Sequence, residues 1–250
     1  MMTNKLCKGV LCLSLLLSTA IGAQAQNVKL TPEFCQAVQQ YDVVQTFYDG
    51  MAAVLKNGNW GYINTDGKEV IPCQMPMQFD VCIDRDDYGF YRDNGYVRNF
   101  CEGMVAVAKE TSGAKHNYER MLKWGYMNRE GQLVVDYIYD EAADFSEGVA
   151  WVANDDFQGF IDKSGKRVLN GANYFVSDAG MLNYTFKDGL ACVAKMDEEG
   201  NAKYGYINMQ GEEVIPCTYD AASPFSEGKA AVGVYKEENV DAIYPYVYSY

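Results

Sequence analysis

The 250-residue chain holds one histidine, His116, so imidazole-dependent nucleophiles and multi-histidine zinc centres have no material to work with. Neither an H-E-x-x-H nor a G-x-S-x-G pattern occurs, and no two cysteines stand as C-x-x-C. Basic residues are scarce as well, with 21 Lys and Arg against 34 Asp and Glu and a formal charge of −13. Such a surface repels phosphate backbones and anionic lipid, which excludes nucleic acid as a partner and a peripheral membrane role. Long apolar runs are absent too. The longest, from Val10 to Ile21, is interrupted by Ser14, Ser18 and Thr19 and falls short of the roughly 20 residues a membrane span needs.

That short run has another reading. Lys5 and Lys8 precede it and Ala23-Gln24-Ala25 follows, the charged, apolar and small-residue order of a signal peptide over residues 1–25. The expected product is an exported protein, periplasmic or extracellular, with no transmembrane segment after cleavage. Export leaves six cysteines: Cys35, Cys73, Cys82, Cys101, Cys192 and Cys217. An even number in an oxidising compartment permits one or two disulfides of open connectivity. Cys192, in Leu-Ala-Cys-Val-Ala, fits equally well as a small buried hydrophobe.

What the chain has in plenty is Tyr (20) and Gly (23), and both recur at fixed spacing. A Phe-x-acid-Gly element occurs five times, at Phe47 to Gly50, Phe100 to Gly103, Phe145 to Gly148, Phe186 to Gly189 and Phe225 to Gly228. A second element places a Gly at Gly61, Gly125, Gly159 and Gly205, each followed six residues later by Gly67, Gly131, Gly165 and Gly211. The distance between the two elements is 11, 22, 11 and 16 residues, which reads as a variable loop, whereas the constant six-residue step reads as a tight turn. Units begin near residues 41, 79, 139 and 174, with a partial one at 219, and define a repeat domain over 41–236.

Each unit reads as about three short strands. In Tyr206-Ile207-Asn208-Met209-Gln210-Gly211, the Asn208 side chain starts a turn that Gly211 closes in the left-handed region. Three strands cannot bury both faces, so neighbouring units must stack. Residues 26–40 differ. Thr31-Pro32 is a helix start, and Phe34, Ala37, Val38 and Tyr41 follow at helical spacing, which predicts a short helix capping the first unit. Residues 237–250 form a Tyr-rich, period-two strand that pairs back on unit five or adds to a partner's sheet.

The Trp60-Gly61-Tyr62-Ile63-Asn64 to Pro72 run and the Tyr219 to Gly228 segment resemble the WG repeat, also called the WG β-repeat. The resemblance covers roughly residues 41 to 236. It implies an exported bacterial binding or scaffolding module of all-β architecture, and it brings no catalytic residue and no cofactor. Departures are Gln158 in place of Trp in unit three, Tyr204 in unit four and the missing hairpin of unit five. The fold expected is a tandem array of short antiparallel hairpins, stacked openly or closed like a β-propeller.

The remaining chemistry points away from catalysis and metals. His116 lies in a polar loop, and Asp84-Arg85-Asp86-Asp87-Tyr88-Gly89 opens like a calcium loop but has Gly95 where the twelfth-position acid belongs. The repeated acids Asp49, Glu102, Glu147, Asp188 and Glu227 read either as a ladder of cation sites or as carboxylates accepting backbone N–H bonds to hold a turn. Two functions follow as expectations. One is a protein-interaction scaffold of the cell envelope, with Tyr88, Phe90, Tyr91 and Tyr96 of the insert 81–99 as contact residues. The other is glycan binding on an exposed series of rings, Trp60, Trp124 and Tyr204 with Tyr62, Tyr126 and Tyr206, which core packing would bury instead.

Overall fold

The computed structural model describes residues 28–76, 97–110, 122–171, 173–174, 185–235 and 246–249. More than half of the described residues are strand, in five small antiparallel sheets, with one short helix and no closed barrel among them. The chain divides into two compact units, residues 1–137 and 138–250.

The first unit opens with α1 (Pro32–Val38), whose N-cap Thr31 accepts the amide of Phe34 at 3.1 Å. The first sheet follows in the order β1 (Val43–Val44), β2 (Met51–Lys56), β3 (Asn59–Asn64), β4 (Glu69–Pro76). Alternation along these strands sends residues to two faces. On one, Ala52, Val54 and Ile63 pack with Phe47 and with Phe34 and Val38 of the helix. On the other, Met51, Ala53, Trp60, Tyr62 and Ile71 pack with Phe100, Val105 and Val107 of the next sheet. The helix therefore lies over the face that no preceding repeat covers. The second sheet has the order β5 (Met104–Glu110), β6 (Leu122–Asn128), β7 (Leu133–Tyr139).

The second unit repeats the plan. Its sheets run β11 (Arg167–Asn170), β10 (Phe157–Asp162), β9 (Val149–Asn154), β8 (Glu141–Ala142), then β12 (Phe186–Lys187), β13 (Leu190–Met196), β14 (Ala202–Asn208), β15 (Glu213–Tyr219). Trp151 and Phe160 of the former share one core with Phe186, Ala191, Val193 and Ile207 of the latter. The last sheet is β16 (Ala221–Ala222), β17 (Val232–Tyr235), β18 (Tyr246–Ser249).

Three expectations change here. Three sheets have four strands rather than three. In two of them the residues after Tyr-Asp also pair, Asp42 N–H donating to Leu55 C=O at 2.8 Å and Asp140 N–H to Ala153 C=O at 2.8 Å, and in the third the extra strand is β12 at Phe186–Lys187. The 11-residue spacing is not a loop either. It holds the whole of β2 and the start of β3, joined by a two-residue turn with Asn57 and Gly58 both at positive φ (53° and 75°). Finally, β18 pairs with β17 as an outer strand, and its register sets Tyr248 opposite Gly233 and Ser249 opposite Val232. Trp60 and Gly61 stand in the same places opposite Leu55 and Val54. The fifth unit thus has its middle strand, supplied from the C-terminal segment in a Tyr-Ser form.

Candidate functional site

The recurring residues meet where one repeat joins the next. In the Phe-x-acid-Gly element the acid and glycine are the two central residues of a tight hairpin turn. Asp49, Glu102, Glu147, Asp188 and Glu227 have φ between 52° and 54°, and Gly50, Gly103, Gly148, Gly189 and Gly228 between 73° and 85°. A glutamate in the left-handed region costs about 1–2 kcal/mol that a glycine would not. Its carboxylate compensates by reaching forward one repeat. Gly103 N–H donates to Asp49, Gly189 N–H donates to Glu147 at 3.0 Å, and Gly228 N–H donates to Asp188 at 2.7 Å. Arg129 also pairs with Asp49. Asp49, Glu147 and Asp188 therefore hold backbone N–H groups, in line with one of the two readings, but the turn each one holds belongs to the following repeat. Among the described residues no cluster of three or more His, Cys, Asp or Glu is placed to hold a metal ion.

Two further contacts complete the joint. Tyr62 Oη donates to Arg98 C=O at 2.6 Å, and Tyr206 Oη donates to Ser223 C=O at 2.7 Å. The same tyrosines meet the next repeat's phenylalanine edge to face, Tyr62 with Phe100 at 5.2 Å and Tyr206 with Phe225 at 4.9 Å. Phe160 and Phe186 make the corresponding pair at 4.9 Å. Burial raises the Tyr206 hydroxyl far above its ordinary range, so it is a neutral donor. At the front of the array Phe34 of α1 meets Phe47 at 6.0 Å, standing in for the tyrosine of a preceding repeat. Phe145 is buried as well.

This geometry corrects the ring platform. Tyr62, Tyr126 and Tyr206 are 2%, 0% and 0% exposed and Trp60 is 6% exposed, so these rings are core. Trp124 and Tyr204 are half-buried, and the Arg98 guanidinium lies 5.4 Å from the Trp124 ring centre. The six rings do not line one open face. Where unit three lacks the tryptophan, Gln158 donates to Tyr174 C=O at 2.7 Å, and Trp151 on the neighbouring strand fills the space beside Phe160. Tyr88, Phe90, Tyr91 and Tyr96 lie outside the described residues.

The glycine of the aromatic-Gly pair has its own cause. A β-carbon on Gly61 would stand 2.5 Å from Ile71 C=O, and one on Gly205 would stand 2.4 Å from Ile215 C=O. At both places the next strand shifts register and carries its backbone across the glycine. The turn that follows is held by Asn208 Oδ1, which accepts from Gln210 N–H at 3.0 Å and Glu212 N–H at 2.9 Å. Asn64, Asn128 and Asp162 do the same in their units.

At the hairpin end of the first sheet Lys56, Glu69 and Cys73 line a cleft of about 220 Å³, and Tyr41 contacts Lys56 and Glu69. The fourth repeat has Tyr174, Lys195, Glu213 and Cys217 in the same positions. Burial, reinforced by Glu69, pushes the Cys73 thiol up to about 11, and burial with Glu213 does the same for Cys217. Cys192, 1% exposed, is pushed by burial up to about 12. These thiols stay protonated and poorly nucleophilic near neutrality. No disulfide forms among the described cysteines Cys35, Cys73, Cys101, Cys192 and Cys217, and Cys82 lies outside them.

Sheets of three or four antiparallel strands, joined by a repeated ring pair, hydroxyl and carboxylate contact, define a β-repeat protein. The WG containing repeat family matches residues 38–60, 60–74, 124–156 and 204–234, and the chain is a WG-repeat-containing protein. The last match runs from β14 of one sheet to β17 of the next, so the recurring unit includes the joint. No curated protein and no solved structure matches the chain.

Proposed function

We propose that the protein is a non-catalytic interaction scaffold of the cell envelope that takes an extended polypeptide along its sheet edges. One observation supports this most. The framework residues are consumed inside the repeats, while the edge strands carry exposed apolar side chains: Val134 on β7, Val168 on β11 and Val214 on β15, at 39%, 46% and 52% exposure. Edge strands offer unpaired backbone groups, and an added strand uses them while its side chains meet such valines. Placement in the envelope rests on the charged, apolar and small-residue order of residues 1–25.

Capture from an envelope fraction tests the reading. The wild-type protein is expected to retain a partner that V168K and V214K release while keeping their circular dichroism. Capture unchanged by both substitutions, or no partner at all, overturns it. Sequencing of the mature protein is expected to start at Gln26.

A further inference from the structure

The first and fourth repeats place a lysine, a glutamate and a cysteine at corresponding positions, yet their charges are arranged differently. In the fourth repeat Lys195 and Glu213 close on each other as an ion pair. In the first repeat the ammonium and the carboxylate are held on separate protein partners. Lys56 Nζ donates to Gln40 Oε1 at 2.8 Å and lies 5.9 Å from the Tyr41 ring centre. Glu69 Oε2 accepts from Tyr41 Oη at 3.1 Å and from the Cys73 thiol at 3.8 Å. The cleft of about 220 Å³ opens beside them, and Asn57, Asn59 and Gln74 supply three amides to its wall, with the Pro72 ring alongside.

We propose that this cleft binds a single pyranose ring, free or at the end of a glycan. The argument is one of hydrogen-bond capacity. Each charge already has a neutral protein partner on one side, so what remains is hydrogen-bonding capacity and not a bare ion demanding a counter-ion. A sugar hydroxyl both donates and accepts. A vicinal pair can give a proton to Glu69 Oε1 and take one from Lys56 Nζ, and the three amides serve the neighbouring hydroxyls. The Pro72 ring supplies a C–H surface for the sugar's apolar face. The volume is below the roughly 300 Å³ at which drug-sized sites begin, which suits one ring and not a chain. In the fourth repeat the direct ion pair uses the same capacity, so that position binds nothing. The site lies apart from the buried aromatic series and from the edge valines, and it goes beyond the scaffold reading.

Amide NMR of the ¹⁵N-labelled mature protein tests this with glucose, galactose, mannose and N-acetylglucosamine, and with their methyl glycosides to separate the free from the chain-end form. The expected result is a saturable shift at Asn57, Asn59, Cys73 and Gln74 for at least one sugar, with Kd on the order of 1 mM. Lys195 and Cys217 are expected to stay still. Asn59→Ala and Lys56→Met, each with an otherwise unchanged spectrum, should weaken binding tenfold or more. No saturable shift with any of the sugars overturns the proposal, as do equal shifts in the fourth repeat. Tighter binding of glycine would show a zwitterion site instead and would also overturn it. Failure here leaves the V168K and V214K capture experiment unaffected.

Discussion

Replacing Tyr206 by Phe isolates the hydroxyl arm of the inter-repeat joint. Tyr206 is fully buried, its ring meets Phe225 at 4.9 Å with planes 80° apart, and its hydroxyl donates to Ser223 C=O at 2.7 Å. Phenylalanine keeps the ring pair and the volume. It removes one donor and leaves a carbonyl in the joint without it, a loss of about 1–3 kcal/mol. Because Ser223 is half-buried and water can replace part of the bond, about 1–2 kcal/mol is expected. Tyr62→Phe should cost a similar amount through Arg98 C=O, since the two joints share one geometry. Urea unfolding measures this as a lowered midpoint at unchanged slope. Hydrogen exchange should place the loosening of Y206F in the amides of β17, where the fourth and fifth sheets meet. A change inside the about 0.5 kcal/mol typical of uninvolved surface positions would refute the reasoning.

Gly205→Ala drives a β-carbon against the Ile215, Pro216 and Cys217 backbone and should cost about 2 kcal/mol or more, whereas Gly228→Ala meets nothing within 4 Å and should cost only the roughly 1 kcal/mol of its positive φ; thermal melts of the two variants give the comparison. Cys73 and Cys217, raised from 9.0 to about 11, should react with iodoacetamide at pH 8 far more slowly in the folded than in the urea-unfolded protein. The folded state holds the thiol protons more tightly, so this stabilisation is complete below pH 9 and should fade as pH rises from about 9 to about 11, seen as a falling urea midpoint that a C73S/C217S variant lessens.

The repeats were legible because their signals are local. Fixed spacing, turn-forming Asn and Gly, and the Thr31-Pro32 helix start each act within a few residues, and Asn208, Gly211 and α1 stand as those signals imply. What stayed hidden was non-local. The partner of Glu147 is 42 residues away, and nothing within the element says that its carboxylate serves the following repeat. Trp151 standing in for the tryptophan missing at 158 depends on two strands lying side by side on one face. The Tyr248-Ser249 strand was concealed by serine in place of the glycine that marks the other four units, and only register with β17 reveals the match. The cleft on the first sheet draws on Lys56 of β2 and on Glu69 and Gln74 of β4, and the strand order β2-β3-β4, not the local sequence, brings them to one place.

The central claim is that the repeated acids bind repeats together and are not ligand sites. Glu147→Ala, Asp188→Ala and Glu227→Ala test it with the backbone held constant, because all three residues share φ near 54°. Glu147 and Asp188 each hold the glycine of the next repeat, while Glu227 follows no such rule, having no partner among the described residues. Urea unfolding of the three variants should show a loss of about 1 kcal/mol for the first two, a charge-assisted bond discounted for exposure, and almost none for the third. Equal effects at all three, or stability that falls only when divalent cations are removed, would contradict the account.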